Sequence, residues 1–400
     1  MKQNIKVAII TGGQPSTQPR IVKEADFFAD MGFEVIVIGS FINNWAIETD
    51  KFLLKNKKWT FKLVGGLPSS NKYIYFLTKI RHKIYRTIPF FIFKLFIFPR
   101  ILIRNFNEIY NVALIEKANL YISHNLGCLP ICVKAAKKNK VVSWYDIEDF
   151  YRGQAISNKA KDFFLSKFIE DKYINSANII TSASPLISEE YKKLYPNINP
   201  ILINNAFSKT EFQFKENFSE KVKFVWFSQN IAHGRGLELI IPVLFNFKDK
   251  IEITLIGNLY DSFYENFLKS YSEILKFEEP LPQNQLNLKL CEFDVGLAIE
   301  LKSADFNRDI CLTNKIFAYS QSGLFVLATD TQAQKLFIQE NNNLGTICEQ
   351  ITTSVENQVE NIINDIENIR KNKKNRFEYS KKLSWENESK KLVGIWKSIS

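Results

Sequence analysis

Apolar residues in this chain fall into short continuous runs, separated by longer stretches in which they recur every three or four positions. The first pattern suits strands buried on both faces, the second amphipathic helices. Asn4–Thr11 reads as a strand, Arg20–Gly32 as a helix and Glu34–Gly39 as a strand, a βαβ opening with parallel pairing. After residue 110 strands are predicted at Leu120–His124, Val141–Tyr145, Asn178–Ser182 and Ile201–Asn204, with helices at Gly127–Lys138, Lys159–Asn175 and Pro185–Leu194. A second series then begins: strand Val222–Phe227, helix Leu237–Phe247, strand Ile251–Ile256, helix Ser262–Tyr271, a short strand near Ile274–Phe277 and helix Gln283–Cys291. Phe293–Ile299 and Leu324–Thr329 are strand-like runs around a polar loop and a helix, which starts near Thr313 as N-cap and stops at Gly323. Val355–Lys382 is helical and highly charged, and in the last helix, Ser384–Ile399, the residues Trp385, Leu392, Ile395, Trp396 and Ile399 share one face.

Four hundred residues exceed what one core usually organises, and an apolar content of 46% supplies two. The fold class expected is α/β, with two Rossmann-like doubly wound domains facing a central cleft. The first spans residues 1–206 and carries a basic, aromatic segment at 70–106; a linker follows at 207–220, then the second domain at 221–382. The closing helix, 383–400, is expected to cross back and pack on the first domain. Ligands of such sheets gather beyond the carboxyl ends of the strands.

The net charge of +11 is concentrated in one segment. Lys51–Tyr110 holds 13 Lys/Arg against Glu108 alone, leaving 40 basic and 41 acidic residues for the rest of the chain. Within it, Ile88–Arg104 (IPFFIFKLFIFPRILIR) is too interrupted to span a bilayer but suits one lying flat on an anionic membrane surface. The competing reading is a buried helix with basic ends in water. No nucleic-acid motif accompanies the charge, so nucleic acid is not an expected partner. The start of the chain lacks the flanks of a secretory signal, and five scattered cysteines suit free thiols in a reducing compartment. A cytoplasmic protein, peripheral on the inner face of the cell membrane, is the corresponding expectation.

Candidate chemistry collects where predicted strands end. His124 closes one strand and is followed by Asn125; Asp146, Glu148 and Asp149 lie just beyond the next, where they suit sugar hydroxyls or general-base work. The glycine-rich turn with Gly12 and Gly13 matches neither a dinucleotide fingerprint nor a P-loop. In the second series, Arg235 stands between Gly234 and Gly236 at a helix start, a place to fork onto a phosphate. Lys315 sits in the first turn of a helix, against the helix dipole, so it is either a solvated surface lysine or a counter-charge for a bound anion. His82 is expected to be exposed and His233 to lie in a turn. Zinc, Walker, nucleophile-elbow and DxD signatures are lacking, so no metal or cofactor is expected.

Taken together, Ser123–Pro130, Trp144–Asp149, Ile203–Ala206, Ser228–Leu239, Asp294–Ala298, Asn314–Tyr319 and Ser384-Trp385-Glu386 resemble retaining, metal-independent GT-B glycosyltransferases. The likeness is to the large bacterial family 4-like group (glycosyl transferases group 1), which includes cell-surface polysaccharide and lipopolysaccharide enzymes. The resemblance implies a nucleotide-diphosphate sugar donor and a lipid-linked or cell-surface glycan acceptor. It places Gly12, Gly13, Ser228, Gln229, Arg235, Gly257, Asn307, Asn314, Lys315 and Tyr319 at the donor. His124, Asn125, Asp146 and Glu148 would meet the acceptor, with His124, Arg235 and Lys315 as the catalytic set. The chain departs from the pattern in three places. The family's glutamate pair would fall at Ile310 and Ala318, Gln229 replaces an arginine, and Glu148 stands where histidine is common. Two other readings share the architecture: a nucleotide-sugar 2-epimerase, and a non-catalytic protein binding sugar nucleotides or glycans.

Overall fold

The computed structural model describes residues 5–88, 94–155, 157 and 159–399. The chain divides into two compact units, one ending at Leu202 and one running from Ile203 to Ser398.

The first unit is built on a parallel sheet of seven strands: β1 Lys6–Ile10, β2 Glu34–Ser40, β3 Thr60–Val64, β4 Leu120–His124, β5 Val142–Ile147, β6 Ile179–Ser182 and β7 Ile201–Leu202. Their spatial order is β3-β2-β1-β4-β5-β6-β7. Val7, Ala8, Ile9 and Ile10 are fully buried, because helices cover both faces of β1. The chain leaves β1 in one direction towards β2 and β3, then returns to lay β4 on the other side. The β1/β4 border is therefore the topological switch point.

The second unit repeats the plan with β8 Val222–Ile231, β9 Ile251–Leu259, β10 Leu275–Glu278, β11 Val295–Ala298, β12 Phe325–Thr329 and β13 Gly345–Cys348, in the order β10-β9-β8-β11-β12-β13. Its switch point is the β8/β11 border. Every pairing in both sheets is parallel.

Three expectations need revision. First, β8 does not stop at Phe227: it runs to Ile231 through a register shift, with Asn230 opposite Asn258. Gly257 permits this, since a Cβ there would lie 2.3 Å from the Ser228 carbonyl oxygen. Second, the described part of Ile88–Arg104 is largely core. Ile97, Phe98, Ile101 and Ile103 are buried and Phe96 is exposed; residues 89–93 and the side chains of 94 and 95 lie outside the described residues. Third, Thr313 occupies the N-cap position of helix Asn314–Gln321, yet its hydroxyl bonds to no first-turn N–H and has no partner among the described residues.

The closing helix, Trp385–Ile399, buries Leu392 and Ile395. Its first turn is tied to the start of its own unit. Trp385 N–H donates to the Phe207 carbonyl (2.8 Å), Glu388 accepts from Asn204 N–H (2.9 Å), and Glu386 accepts from Ser208 Oγ (2.5 Å). All five cysteines are free thiols.

Candidate functional site

In the second unit the segment after β8 turns through Gly234 (φ +73°) and Gly236 (φ +84°) into helix Leu237–Phe245. Gly234 N–H donates to Glu238 (2.8 Å), closing the turn. Gly236 lies against the end of β11, where an added Cβ would come within 2.4 Å of Ile299 Cγ2. This close approach brings the Arg235 turn beside the residues that follow β11. Arg235 is partly exposed and has no hydrogen bond or ion pair with any described residue.

Glu300 stands next on that edge, buried, its backbone N–H and carbonyl both bonded to Thr329 Oγ1 (2.9 and 2.7 Å). Its carboxylate receives Lys315 Nζ at 2.6 Å and faces Arg308 Nη1 at 3.5 Å. Lys315 also lies 5.4 Å from the centroid of the Trp226 ring. It is therefore not a solvated surface lysine: its side chain is 13% exposed and its charge is paired.

Other residues expected at the donor sit in supporting positions. Tyr319 is fully buried, its hydroxyl accepting from Phe227 N–H (3.3 Å) and its ring filling the space over Gly296. Asn314 Oδ1 accepts from Asn205 Nδ2 (2.7 Å), and Asn307 is buried in the short helix Phe306–Ile310. Ser228 and Gln229 lie in the irregular stretch of β8, where the Gln229 carbonyl accepts from Asn258 Nδ2 (2.8 Å).

The first unit carries a buried ionic network at its own switch point. His124, at the end of β4, is wholly buried. Its Nδ1 meets Glu148 Oε1 at 2.8 Å and Asp146 Oδ2 at 3.3 Å, and its Nε2 meets Glu24 Oε2 at 3.0 Å. Arg20 grips Asp146 with two bonds (2.5 and 2.8 Å), and Thr181 Oγ1 donates to the same carboxylate (2.5 Å). Burial alone would lower the His124 pKa, but the charge of Glu24 and hydrogen bonds to Asp146, Glu148 and Glu24 raise it well above the usual histidine value. Burial would raise that of Asp146, yet Arg20 and His124 hold it well below the carboxylate range. Glu24, His124 and Asp146 each offer a metal-ligating atom within 4.8 Å of the others. The two carboxylates, however, approach opposite ring nitrogens and Asp146 is already saturated by Arg20, so the chemistry is that of an ion-pair network.

Arg20 and Glu24 went unread in the sequence. Their signal was an i, i+4 charged pair on a helix face otherwise made of Ile21, Ala25 and Phe28.

Above β1, Asn125 Oδ1 accepts from Gly12 N–H (3.3 Å) and Gln18 Nε2 (3.1 Å), fastening the glycine turn to the β4 loop. The Gly13 carbonyl accepts from Ser40 N–H (3.1 Å), holding that turn to the end of β2. Gly12 and Asn125 line a cavity of about 800 Å³, together with Phe41, Ile103, Arg104 and Tyr151. His124 and Asp146 do not line it, and Glu148 is the member of the network with appreciable exposure, at 24%. His82 also lines the cavity and is half-buried, not exposed, its Nε2 within 2.8 Å of the Ile101 carbonyl. Burial lowers its pKa.

No protein-family model matches the chain, and no curated protein matches it in sequence. Solved structures do match in shape. HepE of Anabaena in complex with UDP-glucose aligns with a TM-score of 0.68 at 10% identity, covering 98% of this chain and 100% of that one. Sucrose-phosphate synthase of Thermosynechococcus elongatus aligns at 0.70 and 12% identity, covering 98% of each chain. The fold is that of GT-B structures. UDP-GlcNAc 2-epimerase of Neisseria meningitidis, solved with UDP-GlcNAc, aligns at 0.60 and 11% identity over 98% of this chain and 100% of that one. At such identities the likeness establishes architecture, and chemistry has to be argued from the residues.

Proposed function

We propose that this chain is a glycosyltransferase that moves a sugar from a nucleotide-diphosphate donor to a lipid-linked or cell-surface glycan, with retention and without a metal. The observation that carries it is Arg235, a cation with no partner among the described residues, in the turn that Gly236 packs against Ile299, the neighbour of Glu300 and its Lys315 pair. In this reading Arg235 and Lys315, with the N-terminus of helix Asn314–Gln321, would hold the diphosphate. As the bond from the sugar C1 to the phosphate oxygen breaks, negative charge grows on the leaving diphosphate. Cations and N–H groups placed there beforehand favour that state over the ground state. The acceptor hydroxyl forms the new C1–O bond on the same face and gives its proton to the departing phosphate oxygen. The solved neighbours hold UDP and UDP-glucose, which makes nucleotide sugars the first ligands to try.

The acceptor belongs in the cavity lined by Gly12 and Asn125, with the His124 network fixing the β4 and β5 loops around it. In this reading the enzyme works on the cytoplasmic side of the cell membrane. Among the described residues no helix is long and apolar enough to cross a membrane.

Thermal shift and saturation-transfer NMR against a panel of nucleotide sugars test the donor half. A folded protein that responds to none of them refutes it. The anomeric configuration of the product, read by NMR, tests retention.

A second reading shares the fold: a 2-epimerase is among the solved neighbours, although Glu24, His124 and Asp146 are buried in an ion-pair network away from the cavity. Incubation with a nucleotide sugar and no acceptor separates the two: an epimerase returns the C2 epimer, a transferase does not.

A further inference from the structure

Helix Lys72–Thr87 turns its apolar side outward. Tyr73, Phe76, Leu77, Ile80 and Ile84, spaced to form one stripe, are between 47% and 75% exposed, Tyr73 the most. The opposite side is anchored. Thr78 Oγ1 donates to the Gly65 carbonyl (3.4 Å), Tyr75 packs edge-on against Phe41 and under Arg104, and His82 reaches the Ile101 carbonyl. The stripe therefore belongs to a helix fixed in place, not to a frayed segment. Lys72, Lys79, Lys83 and Arg86 are exposed on the same helix and pair with no described carboxylate, while the one acidic residue of the segment, Glu108, is taken by Arg81 (2.7 Å).

We propose that this helix lies in the interface of an anionic bilayer, with the Tyr73–Ile84 stripe among the acyl chains and the lysines and arginine at the headgroups. An apolar ridge with unpaired cations at its flanks matches such a surface in both respects. A protein partner would need acidic residues around an apolar groove, whereas the membrane supplies both over any area. The sequence pattern had pointed to the basic, aromatic segment 70–106 and within it to Ile88–Arg104; the described part of that stretch is mostly core, and the exposed apolar face lies one helix earlier in the same segment.

The placement has a consequence for the acceptor. His82 projects from this helix into the 800 Å³ cavity, and Arg104, stacked on Tyr75, lines it too. A helix seated in the headgroup layer thus forms part of the cavity wall, which suits a membrane-anchored amphiphile whose polar head enters the cavity while its tail stays in the bilayer. This second step rests on the transferase reading; the docking itself does not.

Co-sedimentation of the full-length protein with phosphatidylcholine vesicles, with and without phosphatidylglycerol, tests the docking in the absence of any sugar nucleotide. Binding should require the anionic lipid and weaken as salt rises. Leu77→Glu with Ile80→Glu should lower partitioning about ten-fold or more, and Lys72→Glu with Lys83→Glu should do the same at low salt. All four side chains are exposed, so the melting temperature should stay near that of the wild type and serve as the folding control. Equal binding by wild type and the Leu77/Ile80 variant, or no binding by the wild type, overturns the proposal. So does a dimer in light scattering that the same variant dissociates, since a second copy would then own the face. Vesicle binding without any response to nucleotide sugars would leave the docking standing and remove the transferase reading alone.

Discussion

Lys315 donates from Nζ to Glu300 Oε1 across 2.6 Å, so one cation of the proposed diphosphate site is held by a buried carboxylate. The pairing fixes the lysine and at the same time offsets its charge. Glu300→Gln keeps the shape and removes the anion. Stability should fall by about 1–3 kcal/mol, because a partly buried ammonium loses its counter-charge. Affinity for a nucleoside diphosphate should rise about ten-fold, since one repelling charge beside the phosphates is gone. Chemical denaturation and isothermal calorimetry read the two effects separately, and a loss in both would show that Glu300 contacts the ligand itself.

Arg235 differs from Lys315 in having no partner to give up. Arg235→Ala should leave the melting temperature within a degree or two and cut turnover about 100- to 1,000-fold. Arg235→Lys should recover only part of it, because a single ammonium cannot reproduce the fork of a guanidinium. A steady-state assay with the donor found in the panel is the measurement. A non-catalytic binding protein would show no turnover to lose, and its ligand affinity would change little.

The architecture was legible because parallel strands buried on both faces announce themselves as unbroken apolar runs: β4 and helix Pro185–Leu194 have the bounds the pattern predicts. The edges were not. β3 alternates polar and apolar residues and is only half-buried, and β13 is four residues long, so neither leaves a buried-strand signature. At the site, Arg235 stood out through its flanking glycines, and it has no partner among the described residues. The partnership of Lys315 with Glu300, fifteen residues away, was hidden, since it arises from the ends of two different elements meeting at the sheet edge. For His124 the sequence left a core histidine and a site residue equally open, and Asp146 read as part of a loop; only the helix bearing Arg20 and Glu24, brought over the sheet by the fold, shows why charges can be buried there.

Gly236 and Gly234 both have positive φ, but their surroundings differ. Alanine at either position meets the left-handed backbone penalty of about 1 kcal/mol. At Gly236 it also meets Ile299 at 2.4 Å, whereas nothing lies within 4 Å of a Cβ at Gly234. Gly236→Ala should therefore destabilise by about 2–4 kcal/mol and Gly234→Ala by about 1. Because the clash pushes the Arg235 turn off the end of β11, Gly236→Ala should also weaken nucleoside diphosphate binding. Urea denaturation and calorimetry on the two variants distinguish a packing requirement from a purely conformational one.

The His124 network gives stability a definite pH dependence. The folded pKa of His124 is raised above the unfolded value of about 6.5, so between the two the folded state holds the extra proton and stability falls as pH rises. Its contribution is complete below about pH 6.5 and disappears as pH climbs through the folded value. Asp146 acts in the opposite sense. Its folded pKa is depressed, so its contribution is present above about pH 3.9 and is lost on acidification. His124→Gln removes the cation that Glu24, Asp146 and Glu148 share and leaves Arg20 alone to offset them, which should cost about 3–5 kcal/mol at pH 6. Melting temperatures of wild type and variant across a pH series should approach one another as pH rises above about 6.5, because the wild type loses what the variant never had. A gap that stays constant into the alkaline range would mean that His124 is neutral in the folded protein.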